Sequence, residues 1–129
     1  MLREETFSLS WPPTANMSKY PRKDGKGMAS TKELKAYHEL SYYTLLRLKM
    51  KPMKPPYKVK IIFHAPKNVH RYDIANYEKA VNDSLVKGGL IVDDCKINEL
   101  ILMRGDKCDK GFVWVRVTEI PCNANEGVV

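Results

Sequence analysis

Asp73, Lys79, Asp93 and Asp94 fall within one short stretch of this chain, "DIANYEKAVNDSLVKGGLIVDD". Carboxylates hold hard divalent cations through oxygen, and a lysine is a compact positive charge for a phosphate. A cation-holding acid cluster beside such a lysine supplies the charge stabilisation and metal-activated water that phosphodiester hydrolysis needs. Positions 75 and 79 are four apart and share a face at the start of a helix directly after Asp73, so anything at 75 stands beside Lys79. Gly88-Gly89 then stops the helix and lets Asp94 return alongside it. Position 75 itself is alanine. The cluster therefore reads as an acidic site with its middle member missing, although the same spacing also suits simple caps, with Asp73 at a helix start and Asp83 paired to Lys79.

Charge gives such a site a setting. The 129-residue chain carries a net charge of +7, unevenly placed. Residues 1–72 hold 15 Lys/Arg against 5 Asp/Glu, whereas residues 73–129 hold 7 against 10. A basic half beside an acidic one suits a metal-dependent nuclease, since cations grip the phosphates and carboxylates grip the metal. A hydrophobic fraction of 43% and a charged fraction of 29% are ordinary for a globular domain, and no apolar run reaches the length of a membrane span. The first residues lack a signal-peptide core, which points to the cytoplasm. Cys95, Cys108 and Cys122 are widely spaced, odd in number and read as reduced thiols.

The elements that must position the site follow from periodicity. Thr6–Trp11 alternates Phe7, Leu9 and Trp11 with serines, the pattern of a half-buried strand ended by Pro12-Pro13. Residues 14–28 read as a mobile loop whose Lys19, Arg22, Lys23 and Lys26 are candidates for phosphate contact, as is Arg71 further on. Ser30-Thr-Lys-Glu33 reads as a capping box, opening a helix to about Met50 with Leu34, Tyr37, Leu40 or Ser41, Thr44, Leu45 and Leu48 inward. Tyr57–Pro66 is the best strand signal. Asp73 or Asn76 caps a second helix, burying Tyr77, Ala80, Val81, Ser84 and Leu85 and ending at Lys87. Ile97–Gly105 and Gly111–Ile120 read as two strands joined by a charged turn, most simply an antiparallel hairpin. The fold class is α+β: one domain, a mixed or mostly antiparallel sheet with two helices on one face, and a frayed tail at 123–129.

Three ordered motifs add a resemblance. "WPPTAN" (Trp11–Asn16), "DIANYEKAVNDSL" (Asp73–Leu85) and "KGGLIVDDCKI" (Lys87–Ile97) together resemble the RusA family of Holliday junction resolvases, small phage- and prophage-derived endonucleases of DNA recombination and repair. The resemblance implies a homodimer that binds four-way DNA junctions and nicks two opposing strands symmetrically with Mg²⁺ or Mn²⁺, without an organic cofactor. By the same resemblance Asp73, Lys79 and Asp94 are catalytic, Asp73 and Asp94 hold metal with Asp93 as a helper, and Asn16 and Asn76 face DNA. The family's second aspartate falls on Ala75.

An alanine methyl neither ligates metal nor stands as a charged neighbour to Lys79. Cleavage is therefore expected to be weak or absent while DNA binding survives. The loss of one ligand with Asn76, Lys79 and Asp94 intact favours an engineered replacement over drift toward a non-catalytic binder. That alternative, a module for branched or single-stranded nucleic acid on the same fold, is the competing reading. His64 and His70 read as surface histidines, and Trp11 and Trp114 as core residues rather than base-stacking ones.

Overall fold

The computed structural model describes residues 2–14, 19–21 and 28–122. Its elements run β1 (Glu4–Ser10), β2 (Lys19–Pro21), β3 (Met28–Ser30), α1 (Lys32–Arg47), β4 (Tyr57–His64), α2 (Ala75–Lys87), a short 3-10 helix (Asp94–Lys96), β5 (Ile97–Arg104) and β6 (Phe112–Glu119). The α+β class holds, with one four-stranded mixed sheet and two principal helices. In the basic segment expected as a loop, β2 and β3 pair antiparallel as a separate two-stranded sheet. Tail residues 123–129 lie outside the described residues.

The large sheet runs β1-β6-β4-β5, which corrects the expected hairpin. β5 and β6 do not pair with each other. β4 lies between them, parallel to β5 and antiparallel to β6. The reason is burial: Tyr57, Val59, Ile61 and Phe63 are all fully enclosed, and a strand so apolar is best placed in the sheet centre, where both edges of its backbone are bonded. The charged segment 105–111 crosses the end of β4 instead of turning tightly. There the Gly105 amide donates to the Phe63 carbonyl at 2.9 Å and that of Cys108 to Ala65 at 3.0 Å. A Cβ at Gly105 would run into the His64 ring, and Gly111 sits at φ +73° against Pro66. Both glycines permit this close crossing.

Alternate residues of β1, β4 and β6 (Phe7, Leu9, Val59, Ile61, Phe63, Val113, Val115, Val117) meet Leu45 of α1 and Tyr77, Val81 and Leu85 of α2 in one core. The inward set expected for α2 is buried, with Asn82 added; in α1, His38 and Ser41 are buried while Leu40 and Leu48 are exposed. His38 is inside because its Nδ1 meets the Ser84 hydroxyl at 2.7 Å, joining the two helices. Thr31, not Ser30, caps α1, its hydroxyl accepting from the Leu34 amide at 3.3 Å. The opposite sheet face carries Lys58, Lys60, Ile62 and His64 of β4 beside Phe112, Trp114, Arg116 and Thr118 of β6, all half-buried. Trp114 is therefore a sheet-surface residue, not a core one. Trp11 packs against Phe63, Tyr72 and Tyr77.

Glu119 at the end of β6 ties two chain segments together. Its carboxylate accepts from the amides of Lys54 at 2.7 Å and Arg3 at 3.0 Å, and these two bonds hold it below the usual carboxylate range. The folded chain thus binds this proton less readily than the unfolded chain, where a glutamate titrates near about 4.3. The stabilisation is present above that value and is lost as pH falls through the lower folded one. Glu119→Ala leaves two amides without their acceptor, so it is expected to cost about 1–3 kcal/mol at neutral pH and to flatten the acid limb of a stability-against-pH curve measured by urea denaturation.

Candidate active site

The start of α2 is built by Asp73. Its Oδ1 accepts from the Ala75 amide at 3.1 Å and its carbonyl accepts from the Asn76 amide at 3.0 Å. The helix cap itself is Ile74, without a side-chain bond, so neither Asp73 nor Asn76 is the conventional cap expected. Asp73 and Ala75 are exposed and Asn76 is half-buried. Ala75, Lys79 and Asp83 follow at four-residue intervals and form one stripe along the helix. Lys79 Nζ lies 3.5 Å from Asp83 Oδ1, the pairing expected from spacing.

The far end of α2 closes as a Schellman motif. Leu90 donates to the Leu85 carbonyl and Gly89, at φ +79°, to that of Val86. Leu90 and Ile91 are then drawn into the core. The buried Tyr57 hydroxyl fixes the chain just beyond them, donating to the Met53 carbonyl at 2.7 Å and accepting from the Val92 amide at 3.2 Å. A brief apolar run thereby becomes an anchored turn that delivers Asp93 and Asp94 to the α2 flank.

Asp93 caps the 3-10 helix, accepting from the Cys95 amide at 3.1 Å. That bond, with a side-chain bond to Asp94, lowers its proton affinity. Asp94 shifts the other way: the hydrogen bond shared with Asp93, partial desolvation and the Asp93 charge raise it, Lys79 pulls it down and Asp83 adds to the rise. Two adjacent, interacting carboxylates split in this manner. Asp94 therefore shares an electrostatic neighbourhood with Asp93, Lys79 and Asp83, brought together from two elements. Asp83 had no ligand role in the sequence reading, and the four-residue step from Lys79 was the signal for its place here. Asp73 lies at the N-terminal end of the same helix, two residues before the stripe begins.

The donors suit a hard cation in kind but fall short in number. Among the described residues no three His, Cys, Asp or Glu side chains are grouped so as to hold a metal ion. The chain as it stands does not present the expected Asp73, Asp93 and Asp94 as one ligand set.

Of the remaining expected contacts, Arg71 and Lys19 fall among the described residues. Arg71 is exposed on the connector before Asp73. Lys19 is the first residue of β2. Asn16, Arg22, Lys23 and Lys26 lie outside the described residues. Trp11, Pro12 and Pro13 line a cleft of about 450 Å³ with Thr14, Thr31, Glu33 and Tyr77, which places the Pro-Pro segment against the first turn of α2. His64 stacks on Phe112 and bonds the Asp106 carbonyl, a structural assignment.

The chain is similar to known proteins over most of its length. The crossover junction endodeoxyribonuclease rusA of Enterobacteria phage HK97 is 27% identical over 120 residues, covering 92% of this chain and 98% of the phage protein. A family model for endodeoxyribonuclease RusA matches residues 10–118, from the end of β1 to the penultimate residue of β6. The chain belongs to the RusA family.

Proposed function

We propose that this chain is a nuclease of Holliday junctions whose cutting is impaired by Ala75: it binds four-way DNA and, with a full acid set, nicks opposing strands using Mg²⁺. One observation carries the reading. Asp94 of the 3-10 helix lies within the electrostatic reach of Lys79 of α2, and position 75 sits one turn before Lys79 on the same helical stripe. Lys79 would then hold a phosphate oxygen, and Asp73 and Asp94 would hold the cation that neutralises the reacting phosphate. Binding draws on the basic first half, so it should weaken steeply with salt. The test mixes a labelled four-way junction with the Ala75 chain and with its Ala75→Asp variant in Mg²⁺. Paired symmetric nicks from the variant support the reading. Binding without cutting by both favours a non-catalytic module for branched DNA, and no binding at low salt removes both.

A four-way junction has two-fold symmetry, so paired nicks need two sites related by that symmetry. We take the protein to be a homodimer through the open sheet face. There Trp114, Ile62 and Met103 are register neighbours across β6, β4 and β5, with the stacked His64-Phe112 pair alongside. Two of its cations are matched within one chain, Lys58 to Glu99 at 3.7 Å and Arg116 to Glu4 at 3.8 Å, and Lys60 borders an apolar band suited to sheet-on-sheet packing. Trp114→Glu is expected to yield monomers in sedimentation velocity, whereas Leu46→Glu, on the exposed side of α1, is expected to leave the dimer intact. The reverse pattern would move the interface to the helix.

A further inference from the structure

The parallel pairing of β4 with β5 has a consequence at Asp73. Parallel strands end at the same edge of a sheet, so the C-terminal end of β5 lies next to the connector that leaves β4 for α2. Arg104, the last residue of β5, sits over the Tyr72 ring with its guanidinium carbon 4.3 Å from the ring centroid. The same guanidinium donates to the Tyr72 carbonyl at 3.2 Å. That carbonyl belongs to the peptide whose nitrogen is that of Asp73, and a peptide is planar, so fixing one end fixes the other. Lys107, just beyond, donates to the carbonyls of Val69 at 2.6 Å and His70 at 3.4 Å. Arg104 at the end of β5 and Lys107 on the crossing segment thus hold three carbonyls of the connector. Tyr72 is held on its other side by edge contacts with Trp11 and Tyr77.

We propose that Arg104 is a positioning residue for Asp73: stacked on Tyr72 and bonded to its carbonyl, it sets the peptide from which the Asp73 carboxylate is presented, with Lys107 bracing the connector upstream. This rests on the nuclease reading for what Asp73 does, but the hold on Asp73 can be measured without it. A planar guanidinium both stacks and donates; a lysine keeps the charge and loses the plane.

Two measurements decide. In the Ala75→Asp chain, Arg104→Lys and Arg104→Gln are each expected to raise the Mg²⁺ concentration for half-maximal nicking about 10- to 100-fold, the usual effect of removing a group that orients a metal ligand. The junction KM is expected to stay within about twofold, because most phosphate contacts are intact. Recovery by Arg104→Lys, or a change in KM and salt dependence alone, would make Arg104 an ordinary phosphate contact and overturn the proposal. In the Ala75 chain, Arg104→Gln is expected to speed hydrogen exchange at the Ala75 and Asn76 amides, both bonded to Asp73, and to leave the β4 amides unchanged. Unaltered exchange at those two amides also overturns it. A parent Ala75→Asp chain that does not cut sinks the nuclease reading only; the exchange result still decides whether Arg104 holds Asp73.

Discussion

Ala75→Asp is expected to raise Mg²⁺-dependent nicking of a four-way junction by on the order of 10²–10³, the factor that a single charge-stabilising group commonly supplies to such a site. The new carboxylate would stand on the stripe that carries Lys79, one turn before it, and close to Asp73, whose Oδ1 already bonds the position-75 amide. It adds an anionic oxygen where the described residues offer no group of three acids, so the gain should appear chiefly as a lower requirement for Mg²⁺. Lys79 should also change partner: its present contact is Asp83 at 3.5 Å, an exposed pair of little energetic weight. Lys79→Ala in the Ala75→Asp chain is then expected to return nicking toward the level of the Ala75 chain while junction binding changes little. Equal rates for the Ala75 and Ala75→Asp chains, at any Mg²⁺ concentration and with binding intact, would mean that position 75 is not where a ligand is missing.

How far the letters carried the structure depended on whether a contact was local. Positions 77, 80, 81, 84 and 85 repeat with the helical period, and α2 buries all five. Gly88-Gly89 marked the helix end because a left-handed residue there has few alternatives. Sheet order was another matter. β5 and β6 are neighbours in sequence, and each reads as a plausible hairpin arm. Their separation is decided by a third strand, β4, whose enclosed residues compete for the centre. No short window records that competition, and it placed Arg104 and Lys107 beside the connector to Asp73 when neither drew notice as a letter. The cap of α1 failed differently, since Ser30 and Thr31 both offer a hydroxyl and only the backbone geometry at Thr31 selects one. Asp94 was expected from its motif, yet the turn that leads to it is pinned by the Tyr57 hydroxyl, 35 residues from the Val92 amide it holds.

Phe63→Ala is expected to destabilise the domain by about 3–5 kcal/mol, a large part of the roughly 5–15 kcal/mol that holds a typical domain folded. Phe63 is fully enclosed in the central strand and meets the edge of Trp11, whose own contacts with Tyr72 and Tyr77 shape the ground beneath the first turn of α2. The substitution leaves a void that neighbours bonded on both sides of β4 close only in part. The adjacent Ile62 is the internal comparison, because successive residues on a strand face opposite ways. Ile62 points to the open face and is only half-buried, so Ile62→Ala should cost about 1 kcal/mol or less in dilute solution. If the open face joins two copies, that smaller cost must grow as protein concentration rises, since a dimer's stability depends on mass action. The Phe63→Ala cost carries no such dependence of its own. Urea titrations of both variants at two protein concentrations separate the two faces of one strand, and an Ile62→Ala cost that stays constant over that range counts against the sheet face as the dimer surface.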